Sequence, residues 1–254
     1  MNFLGYERPN GSVGARNYVL IIPALLSGLV ATNITNFVEG TKTIFIPSGQ
    51  FEGHTNRDRV IADRALIGLG LNPNVAAVIV ERDYRWNLDI PGEIARSGKR
   101  IEVLDPIEDG GTFERIGKGV QLAREMVREA SMMRRQEFDM GHLRLAVKCG
   151  GSDATSGIAG NPVVGHVFDR VIDAGGSAIF GENTEIVGAE HVLAKRAIND
   201  EVAQQIIAAA HSIEEAVKST GEDLRTINPT EGNKTGGLSS IEEKSLGAIH
   251  KSGT

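Results

Sequence analysis

The run Tyr18-Val-Leu-Ile-Ile22, closed by Pro23, is apolar at every position. A strand with one wet face alternates apolar and polar residues. A strand without that alternation has both faces covered, as in a parallel sheet between helical layers. Working outward, residues 25–38 read as a helix and Thr43-Ile-Phe-Ile46 as a second strand, stopped by Pro47. Residues 58–69 have helical spacing at Val60, Ile61, Ala65, Leu66 and Leu69. Val75-Ala-Ala-Val-Ile-Val80 follows the turn Asn72-Pro-Asn74 as a third strand. Residues 90–97 are helical, and Arg100-Ile-Glu-Val-Leu104 is a fourth strand. This alternation predicts an α/β fold with a mainly parallel sheet flanked by helices.

A long amphipathic helix is expected over residues 112–137, with Thr112 as its N-cap. Its polar end sets a domain boundary near residues 137–142, giving domains 1–140 and 141–254. The second is also read as a Rossmann-like α/β unit. Leu143-Arg-Leu-Ala-Val147 and Ser177-Ala-Ile-Phe180 are its strands, residues 148–160 a Gly/Ser-rich loop, and residues 162–174, 190–197 and 201–218 helices. Residues 226–240 read as a polar loop of fifteen residues, and 241–250 as a short last helix.

At 254 residues the chain can bury a sizeable core without disulfides. Its single cysteine, Cys149, cannot form an internal bridge and suggests the reducing cytoplasm. A net charge of −6 argues against nucleic acid as a partner. The most apolar stretch, residues 18–31, is too short to span a bilayer, so no membrane role is expected.

Three segments concentrate reactive side chains. Lys148-Cys-Gly-Gly-Ser-Asp153 follows a strand directly, where doubly wound sheets bind ligands. Gly150 and Gly151 allow close backbone approach, successive N–H groups can hold an oxyanion, and Cys149 can ligate a metal as thiolate. The bland reading is a strand-to-helix turn with an inert cysteine. Gly181-Glu-Asn-Thr-Glu185 and Gly188-Ala-Glu-His191 place Glu182, Glu185, Glu190 and His191 within ten residues, a set that suits iron, manganese or zinc. Against that, Glu185 and Glu190 could be dipole-stabilising charges at helix starts, and His191 a surface histidine. Asn228-Pro-Thr-Glu-Gly-Asn-Lys-Thr-Gly-Gly237, continuing to Gly247, sets Asn233 and Lys234 among glycines, with Glu242 and Lys244 beyond. A flexible linker is the rival there. In the N-terminal stretch 5–17, Arg8 and Arg16 read first as residues that tie down the terminus.

Together these stretches resemble the altronate/galactarate dehydratase (altronate hydrolase) family, which includes sulfolactate sulfo-lyase large subunits. The matching residues are Gly5-Tyr6-x-Arg8, Gly14-x-Arg16-Asn17-Tyr18-Val19-Leu20, Lys148–Asp153 with Ser156-Gly157 and Asn161-Pro162, Gly188–His191, Arg196-Ala197, and Asn228-Pro through Gly247. The resemblance implies elimination of water from a sugar acid with a divalent metal, Fe²⁺ or Mn²⁺. It also implies a Rossmann-like later domain behind a dimerising one. Cysteines common in the family's first half are replaced here, in Ala24-Leu25-Leu26, Ser48–His54 and Glu81-Arg82-Asp83. The family's small β-clip domain and its C-terminal part are missing, so the expectation is a fragment or a split enzyme. Its partners would be a β-clip subunit and a C-terminal-domain subunit, or a second copy in a homodimer.

On this resemblance Cys149, Glu182 and His191 are the first choice as metal ligands, with Glu185 and Glu190 in reserve. Lys148, Ser152, Asp153, Lys234 and Lys244 are expected to be catalytic, and Gly150, Gly151, Asn161, Asn233 and Arg196 to bind substrate. The chemistry asks for such a set. A proton beside a carboxylate is weakly acidic, so the developing negative charge needs electrostatic stabilisation as well as an acid and a base. Sulfite elimination, by the same logic, and a non-catalytic assembly subunit are the alternatives. A nicotinamide dehydrogenase ranks below them, because no Gly-x-Gly-x-x-Gly follows the first strand.

Overall fold

The computed structural model describes residues 1–24, 28–44 and 56–254. The chain forms two compact units, Asn2–Asp139 and Met140–Thr254 together with Met1.

The first unit opens with β1 (Asn2–Glu7) and β2 (Val13–Gly14), followed by β3 (Tyr18–Ile22), α1 (Leu29–Phe37), β4 (Thr41–Thr43) and α2 (Asn56–Leu71). Then come β5 (Val75–Glu81), α3 (Ile90–Ala95), β6 (Arg100–Leu104), α4 (Thr112–Met132) and β7 (Gln136–Asp139). The order β4-β3-β5-β6 is parallel throughout. Alternate residues of the apolar strands serve opposite faces. Val19, Ile21, Ala77 and Ile79 pack with Ala31 and Ile34 of α1 and Ala123 and Met126 of α4. Leu20, Ile22, Val78 and Val80 pack with Leu66 of α2 and Ile90 and Ile94 of α3. Each fully buried side chain contributes about 1.5–3 kcal/mol, so the absence of polar positions in these strands is accounted for.

Four expectations change. The second strand begins at Thr41 rather than Thr43, in register with Val19 to Ile21, while Phe45 and Ile46 lie outside the described residues. The start of the first helix at Leu25 and the Ser48–His54 stretch lie outside them as well. The long helix is capped by Gly111, not Thr112, and ends at Met132. Its expected polar end is instead β7, which pairs antiparallel with β1 from Asn2↔Asp139 to Gly5↔Gln136. Strand pairing across more than a hundred residues overrides local helix propensity there. Arg8 is 3% exposed and donates to the carbonyl of Pro73, the Asn17 side chain and the Arg16 carbonyl, so it is spent on tying down the terminus.

The second unit contains β8 (Arg144–Val147), α5 (Asn161–Asp173), β9 (Ser177–Phe180), α6 (Glu190–Ala194) and α7 (Asp200–Lys218). After these come α8 (Leu224–Ile227), α9 (Glu231–Thr235) and α10 (Ile241–Ala248), with a last 3₁₀ turn over Ile249–Ser252. Among the described residues its parallel sheet has two strands, in register from Arg144↔Ser177 to Val147↔Phe180. A core of Ile186, Val187, Leu193, Ala210, Ile241 and Ile249 lies beside it.

Two loops expected here are partly helical. Asp153 accepts from the Ser156 N–H and hydroxyl and from the Thr155 hydroxyl, which starts a π-helical turn over Ser156–Gly160 leading into α5. Thr230 and Asn233 form a reciprocal capping box that nucleates α9 inside the expected fifteen-residue loop. No helix among the described residues is long and apolar enough to cross a membrane.

Candidate functional site

The register of β8 and β9 decides which residues meet. Val147 pairs with Phe180, so the segments after them leave the sheet side by side at its carboxyl edge. One starts Lys148-Cys149 and the other Gly181-Glu182. Potential ligand atoms of Cys149, Glu182 and Glu185 lie within 4.8 Å of one another. Glu182 has φ +73°, the one left-handed non-glycine residue among those described, and it opens the 3₁₀ turn Asn183–Glu185. Strain of this kind costs about 1–3 kcal/mol and persists where the surroundings over-determine it. Here it goes with a carboxylate carried beside the thiol.

Both carboxylates have ammonium partners. Lys148 Nζ lies 2.6 Å from Glu182 Oε1, and that bond holds the Lys148 ammonium above its ordinary pKa. Lys251 Nζ donates to both oxygens of Glu185, at 2.9 and 2.7 Å, in a buried pair. Lys251 was not singled out from the sequence. Its sequence neighbours His250 and Ser252 are polar and gave no sign of its burial.

A cavity of about 250 Å³ opens beside Cys149, lined by Lys148, Gly150, Gly151, Ser152, Asn161 and Lys251 among others. Added Cβ atoms at Gly150, Gly151 and Gly160 would meet nothing within 4 Å, and none of these glycines has a positive φ. Neither backbone conformation nor packing therefore requires glycine at these positions. They keep space free. The N–H groups of Gly150, Gly151 and Ser152 have no acceptor among the described residues, so three successive donors are available to an anion. The Ser152 hydroxyl lies 3.4 Å from Cys149 Sγ.

The third segment reaches the first. Asn233 Nδ2 donates to the Ser152 carbonyl at 2.9 Å, and Lys244 Nζ donates to the side-chain oxygens of Asn228 and Asn233. Asn161 Nδ2 donates to the Gly247 carbonyl at 3.0 Å. A second cavity of about 270 Å³ lies among Ser152, Asp153, Asn161, Lys244 and His250. Thr155 and Ser156 hold the Asp153 carboxyl below the usual carboxylate range, as fits a residue capping a helical turn.

Two family models match the chain, the C-terminal domain of D-galactarate/altronate dehydratase over residues 140–254 and the second domain of D-galactarate dehydratase/altronate hydrolase over residues 5–131. The chain belongs to the galactarate/altronate dehydratase family. It is 39% identical over 254 residues to the (2R)-sulfolactate sulfo-lyase subunit beta of Chromohalobacter salexigens, covering 99% of this chain and 64% of that protein. It is 29% identical to the altronate dehydratase of Bacillus subtilis, covering 99% of this chain and 52% of that one. Against the galactarate dehydratase (L-threo-forming) of Escherichia coli K12 the identity is 30%, over 76% and 39%. The chain thus spans less than two thirds of these relatives.

Not every residue expected at the site joins it in this member of the dehydratase family. Glu185, ranked behind His191 from the sequence, belongs to the three-donor group, whereas His191 is exposed and outside it. Glu190 accepts from the Gly188 N–H at 2.6 Å, a helix-start contact, and is outside it too. The physical reason is position along the segment. The 3₁₀ turn keeps Glu185 near Cys149, and α6 starts only after the buried stretch Ile186-Val187. Arg196 holds the chain end through the carbonyls of Ile249 and Gly253 and the Ser252 hydroxyl. Lys234 pairs with Glu231 one helical turn away and lines neither cavity.

Proposed function

We propose that this chain is part of a lyase that eliminates water from a sugar acid, with Fe²⁺ or Mn²⁺ held by Cys149, Glu182 and Glu185. The observation that carries the reading is that three-donor group, set at a carboxyl strand edge beside a cavity that glycines keep open. One sulfur and two carboxylates suit a borderline divalent cation. Bound there, such a cation would act as a Lewis acid toward negative charge developing on the substrate's carboxylate.

The chain's own residues supply donors for the acid's oxygens and a proton for the leaving group. The N–H groups of Gly150, Gly151 and Ser152, residues that line the cavity, are the donors for the acid's oxygens. Lys148, beside Glu182, is the acid that gives a proton to the departing hydroxide. Asn233 and Lys244 brace the Ser152 backbone and so fix the donor loop. On this reading the complete enzyme includes further domains, in one chain or as separate subunits, and works in the cytoplasm, where Cys149 stays reduced. A relative named as a subunit beta supports a multi-subunit form.

The 39% identity to a sulfo-lyase subunit favours a second reading, elimination of sulfite from a sulfonated hydroxy acid. Assay of the complete enzyme separates the two by product, a 2-keto-3-deoxy acid against sulfite. In either case Cys149→Ser, Glu182→Gln and Glu185→Gln should each lower bound metal and cut turnover by about a hundredfold or more. Retention of full metal content and turnover in all three would sink the proposal.

A further inference from the structure

The candidate cation group carries its own positive charge. Lys148 is paired to Glu182 and Lys251 to Glu185, so two ammoniums balance two carboxylates. The lysines differ in freedom. The Lys148 side chain is 70% exposed and can swing into water, whereas Lys251 and Glu185 are 8% and 3% exposed. Lysine is almost never buried without a partner, and a partner taken away leaves a costly unpaired charge.

Lys251 is also rigidly seated. Its 3₁₀ turn presses on α5 so closely that a Cβ on Gly165 would lie 2.1 Å from the His250 carbonyl oxygen. Ile249, in the same turn, is 1% exposed in the core. The ammonium is therefore delivered to Glu185 by fixed backbone. It still lines the cavity that holds Cys149, Gly150 and Gly151, and so lies where a ligand arrives.

A divalent cation would need lone pairs of Glu185 at about 2.0–2.2 Å. Lys251 already engages both of those oxygens. We propose that Lys251 is the resident counter-ion of this site, a positioning residue that keeps Glu185 fixed and limits how tightly a divalent cation is held by competing for the same carboxylate. The inference rests on the cation-binding reading above. If Lys251 were only a brace for the chain end, its charge would not set cation affinity. If it competes, removing the charge leaves Glu185 to be satisfied by the cation alone, and binding tightens.

The test is a Mn²⁺ titration of the full chain, with free Mn²⁺ followed by electron paramagnetic resonance and the thermal midpoint recorded with and without the ion. Lys251→Met and Lys251→Gln should bind Mn²⁺ roughly tenfold tighter or more, because a positive charge next to the cation is lost, and Lys251→Arg within about threefold of the parent. Without Mn²⁺, Lys251→Met should melt below the parent, and saturating Mn²⁺ should close the gap. Should Lys251→Met not fold, Lys251→Gln keeps a hydrogen bond to Glu185 and gives the same readout. If the parent binds Mn²⁺ through Cys149 and Lys251→Gln binds no more tightly, the counter-ion role is overturned while the cation site stands. If the parent binds no Mn²⁺, or binds it unchanged by Cys149→Ser, the cation reading fails and the Lys251 inference with it.

Discussion

The two parallel sheets put their strands to different uses. In the first unit β3 and β5 are buried nearly throughout, and charged groups at the strand ends are closed on each other. The buried Glu81 pairs with the half-buried Arg115 at 2.7 Å, and burial pushes the Glu81 carboxyl up. In the second unit β8 and β9 alternate between exposed and half-buried residues, and the segment after β8 lines an open cavity. A sheet covered on both faces draws its stability from the apolar side chains its strands bury. The thinner sheet stabilises less and leaves its carboxyl edge free for chemistry.

The strongest way to break this contrast is by core truncation. Ile79→Ala should cost about 2–5 kcal/mol in urea unfolding, because Ile79 is fully buried between α1 and α4. Ile179→Ala, at a position 57% exposed, should cost under about 0.5 kcal/mol. Similar losses at both positions would mean that the second sheet is as structural as the first.

A smaller effect concerns buried charge in the first unit. Lys99 donates to the carbonyls of Gly70 and Asn72, and burial lowers its pKa from 10.5 to about 8. Between those values the unfolded chain carries a proton that the folded chain has released. Stability should therefore rise from pH 7 to 9.5, by on the order of 2 kcal/mol, and be lost as pH falls through about 8. Lys99→Met should remove that slope. Persistence of the slope in the variant would assign it elsewhere.

The smallest stability effect sharpens the other side. Gly150→Ala and Gly151→Ala should change stability by less than about 1 kcal/mol, since neither site is crowded nor at positive φ. Substrate affinity of the complete enzyme should nonetheless fall about tenfold or more, because both residues line the cavity. Unchanged affinity would make the open cavity incidental.

Legibility from sequence follows the same divide. Tyr18–Ile22 and residues 75–80 could be read because they are apolar at nearly every position, as strands buried on both faces are. The segment Gln136–Asp139 could not, since its partner β1 lies at the other end of the unit and nothing local signals a strand. The helix α9 was hidden in a polar run, although Thr230 and Asn233 carry a capping signal in the sequence itself. At the site, the segments with Cys149, Glu182 and Glu185 stood out by composition. Which glutamates face the thiol depended on a 3₁₀ turn and a left-handed residue.

The sequence by itself determined the α/β layering, the family and the segments that carry reactive groups. These are written in apolar periodicity and in motif order along the chain. Only the tertiary structure decided that Glu185 joins Cys149 while His191 stays outside, and that Lys251 pairs with Glu185. Distance and burial arise from strand register and helix packing between residues far apart in the chain, and local sequence does not encode them.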